Sequence, residues 1–168
     1  MRIETVLPAY KKSEVIKALL SAHPYEEPAF DLYPLQNSWT QAGAGVIGEL
    51  ETPETELEFL KRVKKIFEVG CLKHNKLTGR EIQTVALCGG AGVFLMPLAI
   101  RNGADVFITG EIKYHDYFGH DTDILLAEIG HYESEQYTKE IFYSIIRDLF
   151  PNFALQLSKI NTNPIKYL

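Results

Sequence analysis

Apolar and polar positions along the chain change period several times, and each change marks a predicted element. Residues 2–7 alternate and read as a strand. Ser13 can cap a helix whose apolar positions Ile16, Leu19 and Leu20 share a face, and Pro24 stops it. The aromatic-rich stretch 29–35 and the stretch 45–50 after a turn at Gly43 suit two further strands. Thr52-Pro53 predicts a helix start, with Leu57, Leu60, Val63 and Phe67 as its buried stripe and Lys61, Arg62, Lys64 and Lys65 on its wet face. Residues 71–74 form a short closing strand. The order β-α-β-β-α-β predicts a ferredoxin-like domain over residues 1–76.

A turn at residues 77–80 opens a second pattern over residues 77–168. Apolar runs at 84–88, 105–109 and 124–129 predict strands, with helical segments near 97–100, 114–118 and 134–150 and a last strand at 153–157. Ile141, Phe142, Ile145 and Leu149 share one face of the last helix, and Pro151 ends it. Strands alternating with helices predict an α/β layer, so the expected fold class is α/β (α+β), a ferredoxin-like domain followed by half of a layered α/β domain. About four strands make only part of a sheet of usual size. The runs are apolar at nearly every position, as strands covered on both faces are. The expectation is that part of this sheet lies bare and that a second copy covers it, making a homo-oligomer.

Composition narrows the function classes. At 168 residues with 46% hydrophobic and 23% charged positions the chain has the make-up of a globular protein. A net charge of −5 gives no reason to expect nucleic acid or an anionic membrane as partner. The residues carry no secretory-signal pattern and no run long enough to span a bilayer, and the two cysteines, Cys71 and Cys88, lack zinc-ligand spacing. These features predict a cytoplasmic protein.

Four segments carry candidate chemistry. Gly130-His-Tyr-Glu-Ser-Glu135 lies where a strand hands over to a helix, at the strand's carboxyl end. His131 and Glu135 fall within one turn, a nitrogen and an oxygen donor suited to a divalent metal; otherwise Glu133 and Glu135 favour the positive end of the helix dipole and His131 fills a turn. Thr109-Gly-Glu111 followed by His115 ends another strand, so Glu111 can relay a proton and His115 act as acid or base, or else Glu111 caps a helix and His115 is exposed. Cys88-Gly-Gly-Ala-Gly92 can offer backbone N–H groups to a phosphate, although no Gly-Lys-Ser/Thr follows and close packing is the ordinary use of such glycines. His23-Pro-Tyr-Glu-Glu-Pro28 reads as a rigid loop or a further metal position.

These segments, taken in order, resemble the Nif-three-like dinuclear-metal family, also called GTP cyclohydrolase I type 2 homologues. His23 to Asp31 followed by Tyr33-Pro-Leu35 is similar to the start of the family's inserted CutA-like or PII-like ferredoxin-like domain. Residues 86–92, 103–111, 115–116 and 130–135 resemble the C-terminal half of its main domain, and the likeness covers nearly the whole chain.

The resemblance implies that His131 and Glu135 are metal ligands, with Glu111 and His115 close to the site. The metal would be zinc, iron, manganese or magnesium. The family's remaining ligands, two adjacent histidines and an aspartate, belong to an N-terminal half expected to precede the inserted domain, and this sequence has no His-His pair. The expected role is therefore a partial Nif-three-like protein acting as a metal-binding or regulatory assembly module. The alternative is a metal-dependent hydrolase acting on a small-molecule nucleotide or phosphate through a two-metal site.

Overall fold

Proline at position 53 does not start a helix, because the strand that contains it runs on for two more residues. In the computed structural model, which describes residues 2–37 and 42–168, strand β1 spans Val46–Thr55 and helix α2 spans Glu56–Ile66. Register slips between Glu49 and Glu54, so Pro53 falls in a bulge on an edge strand, where the lost donor costs no ladder bond. Thr55 is the true N-cap: its hydroxyl oxygen accepts from the Glu58 N–H at 3.4 Å and donates to the Glu58 carboxylate at 2.6 Å. Glu56 then buries its carboxylate under the turn that follows, accepting from Thr78 N–H and hydroxyl at 2.7 Å each and from Gly79 N–H at 2.9 Å. Phe59, Leu60 and Val63 form the buried stripe, whereas Leu57, expected in it, is exposed.

The remaining elements are β2 (Lys73–His74), β3 (Glu81–Cys88), α3 (Met96–Arg101), β4 (Val106–Thr109), β5 (Leu125–Glu128), α4 (His131–Glu135) and α5 (Thr138–Leu149). Five strands form one mixed sheet in the order β1-β3-β4-β5-β2. The inner three are parallel, and β1 and β2 close the two edges antiparallel. Because side chains alternate across a sheet, each inner strand feeds two cores. Ile82, Val106, Ile108, Leu125, Ala127 and Ile129 pack against the stripe of α2. Ala86, Phe107, Ile124 and Leu126 pack on the other face against Met96 and Ala99 of α3, with Ala104 and Ile112. The predicted α/β layer is present, and every residue of β4 and β5 is buried.

Three expectations are corrected. β1 and β2, assigned from sequence to a ferredoxin-like domain over residues 1–76, pair within the sheet of residues 46–128, and α2 packs on one of its faces. The chain divides into units Met1–Trp39 and Thr40–Leu168, not near residue 77. A strand is completed by neighbours that a one-dimensional pattern does not show: β2 pairs Lys73 with Glu128, 55 residues on. The first unit holds α1 (Lys12–Ala22) after a 3-10 turn at Ala9–Lys11, and among its described residues the expected strands at 2–7 and 29–35 are irregular. Second, β4 and β5 are covered on both faces by this chain itself, so the apolar surface expected to lie bare there does not. It lies on α5 instead, where Ile141, Phe142, Ile145 and Leu149 are all exposed. Third, residues 153–157 are not a strand, and the single helix expected over 134–150 is two, α4 and α5. No described helix is long and apolar enough to cross a membrane.

Candidate functional site

Each of the three parallel strands ends in a glycine-containing turn, and the three turns meet. Gly90 follows β3, Gly110 follows β4 and Gly130 follows β5. The Gly90 carbonyl is the hub: it accepts from Gly92 N–H at 3.0 Å, Gly110 N–H at 2.9 Å, Glu111 N–H at 3.2 Å and the Thr109 hydroxyl at 3.1 Å. No side chain fits at Gly110, where a Cβ would stand 2.7 Å from both the Gly90 oxygen and Ser134 Oγ. Ser134 ties the third turn in, since its hydroxyl accepts from Gly90 N–H at 2.9 Å and donates to the His131 carbonyl at 2.8 Å.

This backbone fixes three side chains. Positions 131 and 135 lie on one face of α4, and Nε2 of His131 stands 3.3 Å from Glu135 Oε2. From the neighbouring turn, Glu111 Oε1 reaches Nδ1 of the same ring at 2.7 Å. An ionised carboxylate only accepts, so Nδ1 carries a proton and faces Glu111. The ring is thus flanked by two carboxylates, Glu111 at Nδ1 and Glu135 at Nε2. All three side chains are about half exposed, His131 at 44%, Glu111 at 56% and Glu135 at 53%. Gly90 lies beneath them with φ at +62°; a Cβ there would collide with Glu135 Oε1 and stand 3.4 Å from Nε2.

The donor set fits one edge of a metal site. Nitrogen and oxygen ligands near 2.0–2.2 Å from a tetrahedral zinc stand about 3.4 Å apart, close to the observed 3.3 Å. A carboxylate on the second ring nitrogen is the usual partner of a metal-bound histidine. Glu111 stands at the corresponding place, on Nδ1 of His131. Among the described residues no group of three or more His, Cys, Asp or Glu side chains is gathered to hold a metal.

The other sequence candidates lie elsewhere. His115 sits in a 3-10 turn at Tyr114–Tyr117 with its ring against Tyr114 and Phe118, centroids 5.3 and 6.4 Å away. Two amides of the Cys88–Gly92 segment are committed within the turns themselves, Gly90 N–H to Ser134 and Gly92 N–H to Thr109 and Gly90. His23 accepts at Nδ1 from Tyr25 N–H at 3.1 Å within the first unit. Ser134 and Gly90 were not singled out as site residues from sequence; the glycine–helix hand-over that drew attention to His131 is the signal that leads to both.

The family model described as Duf34/NIF3 (NGG1p interacting factor 3) matches residues 7–164. The chain belongs to the Duf34/NIF3 family. Among curated relatives it is 35% identical to a "GTP cyclohydrolase 1 type 2 homolog" of Halalkalibacterium halodurans and 33% identical to one of Bacillus subtilis. Each match spans 100% of this chain and 46% of the relative. The Duf34/NIF3 chain therefore spans about half the length of these relatives. A Staphylococcus aureus crystal structure shares its fold with a TM-score of 0.76 and 29% identity, over 99% of this chain and 55% of the other. A Bacillus cereus protein related to NIF3 gives a TM-score of 0.69 and 31% identity, over 96% and 46%.

Proposed function

We propose that this Duf34/NIF3 chain is a divalent-metal-binding module, with His131 Nε2 and the Glu135 carboxylate as ligands and Glu111 orienting the ring. The observation that carries the reading is the pair of contacts on one imidazole, 3.3 Å to a prospective co-ligand and 2.7 Å to a carboxylate on the opposite nitrogen. A mixed nitrogen and oxygen set suits zinc, iron or manganese better than magnesium, which favours oxygen alone. The module reading includes assembly: α5 turns an apolar stripe to solvent, and burying it against a second copy would stabilise a homo-oligomer.

Calorimetric titration of the metal-free chain with manganese or zinc tests the site. Binding that His131→Ala abolishes and Glu135→Gln weakens supports it. Binding that survives both substitutions, or none in the unsubstituted chain, sinks it.

The name of the relatives, GTP cyclohydrolase 1 type 2 homolog, supports a second reading, a hydrolase acting on a nucleotide or phosphate. When bound, a metal would supply an activated water there. Glu111, 2.7 Å from His131 Nδ1, would hold or pass the proton, and His115, now against Tyr114 and Phe118, would act as acid or base. Release of product from GTP, lost in Glu111→Gln, is the result that would favour this reading.

A further inference from the structure

Helix α4 has only five residues, too few to hold itself together in water, yet it keeps two side chains aligned over the glycine turns. Glu133, midway between His131 and Glu135, points the other way, since positions two apart on a helix differ by about 200°. It is 6% exposed. Its Oε1 accepts from Asn163 Nδ2 at 3.1 Å and from the Tyr167 hydroxyl at 3.4 Å, while Oε2 is buried without a hydrogen-bond partner among the described residues. A half-satisfied buried carboxylate opposes folding, so its place behind the ligand helix calls for a compensating role.

The segment it holds has no helix or strand. Residues 158–168 are shaped by side-chain turns instead: Asn161 Oδ1 accepts from Asn163 N–H at 2.8 Å, and Asn163 Oδ1 from Ile165 N–H at 3.0 Å. The Tyr167 ring lies against Gly70, where a Cβ would stand 3.4 Å from it. Burial, and then the charge of Glu133, push the Tyr167 hydroxyl up. At the head of α4, Gly130 has φ at +93°, and a Cβ there would collide with Glu133 Oε2. The glycine lets the carboxylate tuck under the start of the helix.

We propose that Glu133 is a positioning residue that latches the C-terminal segment, through Asn163 and Tyr167, to the back of α4 and so holds His131 and Glu135 at their separation. The proposal rests on reading that pair as metal ligands. The test uses the full chain as Glu133→Ala, Glu133→Gln and the double variant Asn163→Ala/Tyr167→Phe, which leaves the helix untouched should Glu133→Ala fail to fold. Manganese affinity should fall about 10–100-fold in Glu133→Ala and in the double variant. Glu133→Gln should stay close to the unsubstituted chain, because its amide oxygen accepts from the same two donors. Unchanged affinity in the two disruptive variants, or failure of glutamine to rescue, overturns the proposal. Should the unsubstituted chain bind no manganese, the metal reading falls and the latch is judged on the metal-free protein. There the nitrogen resonances of the His131 ring should change in the two disruptive variants and hold in Glu133→Gln; no change in any of them overturns it.

Discussion

Gly90 offers a way to separate backbone strain from crowding at the site. Its φ of +62° lies in the left-handed region, and Gly103, with φ at +72°, lies there too. They differ in surroundings: a Cβ at Gly103 meets nothing within 4 Å, whereas one at Gly90 meets Glu135 Oε1 and, at 3.4 Å, His131 Nε2. An L-residue in this conformation costs about 1–2 kcal/mol, so Gly90→Ala and Gly103→Ala should both destabilise by that amount. Melting temperature should drop by roughly 2–8 °C in each. Gly90→Ala alone must also move the Glu135 carboxylate, because the new methyl takes up the space beside Oε1. Manganese affinity by calorimetry should then fall at least about tenfold in Gly90→Ala and not at all in Gly103→Ala. Equal affinities in the two variants, with equal loss of melting temperature, would refute the assignment of the space above Gly90 to a ligand pair.

Glu56→Ala strands the Thr78 and Gly79 donors beneath α2 and should cost about 2–4 kcal/mol, read as a shift in urea midpoint; a loss under about 0.5 kcal/mol would show that this buried carboxylate is dispensable. Burial, with the Glu128 carboxylate that accepts from its hydroxyl at 3.0 Å, holds the Tyr117 pKa well above the ordinary tyrosine value. A folded-state value above the unfolded one contributes stability that is full below about pH 10 and declines as pH rises beyond it. Tyr117→Phe should therefore flatten the alkaline limb of stability against pH, and an unchanged limb would contradict the cause. Light scattering at micromolar concentration should find the chain self-associated and Ile145→Asp shifted toward monomer; a monomeric unsubstituted chain refutes assembly through α5.

What could be read in the sequence divides by the range of the interactions involved. The inner strands were readable because β4 and β5 are buried on both faces, so their apolar runs are continuous. Helix α2 was readable except at its first turn, since Thr52-Pro53 satisfies the rule for a helix start and for an edge bulge equally well. The ferredoxin-like assignment failed on distant pairing: residues 46–55 and 73–74 have the right local character, but their neighbours are β3 and β5. Ser134 looked like part of one continuous helix, yet its hydroxyl is committed to Gly90 and His131, and the chain breaks before Thr138. His131 and Glu135 were readable as a pair because their i,i+4 spacing needs no tertiary knowledge. That Glu111, 20 residues earlier, lies on the other ring nitrogen follows only once β4 and β5 are neighbours.

The pairing of β2 with β5 also bears on how the polypeptide is made. Lys73 and His74 leave the ribosome long before Glu128 and Ala127, their partners in the ladder. At synthesis rates of about 5–20 residues per second that gap lasts several seconds. During that interval α2 and β1 can already dock on β3, but one margin of the growing sheet stays unstitched until β5 arrives. Such sequence-distant closure delays folding relative to local contacts. The two-residue β2 is short enough to offer little template to a neighbouring nascent chain in the meantime, and Lys73, which then pairs with Glu128, puts a charge on that margin while it waits.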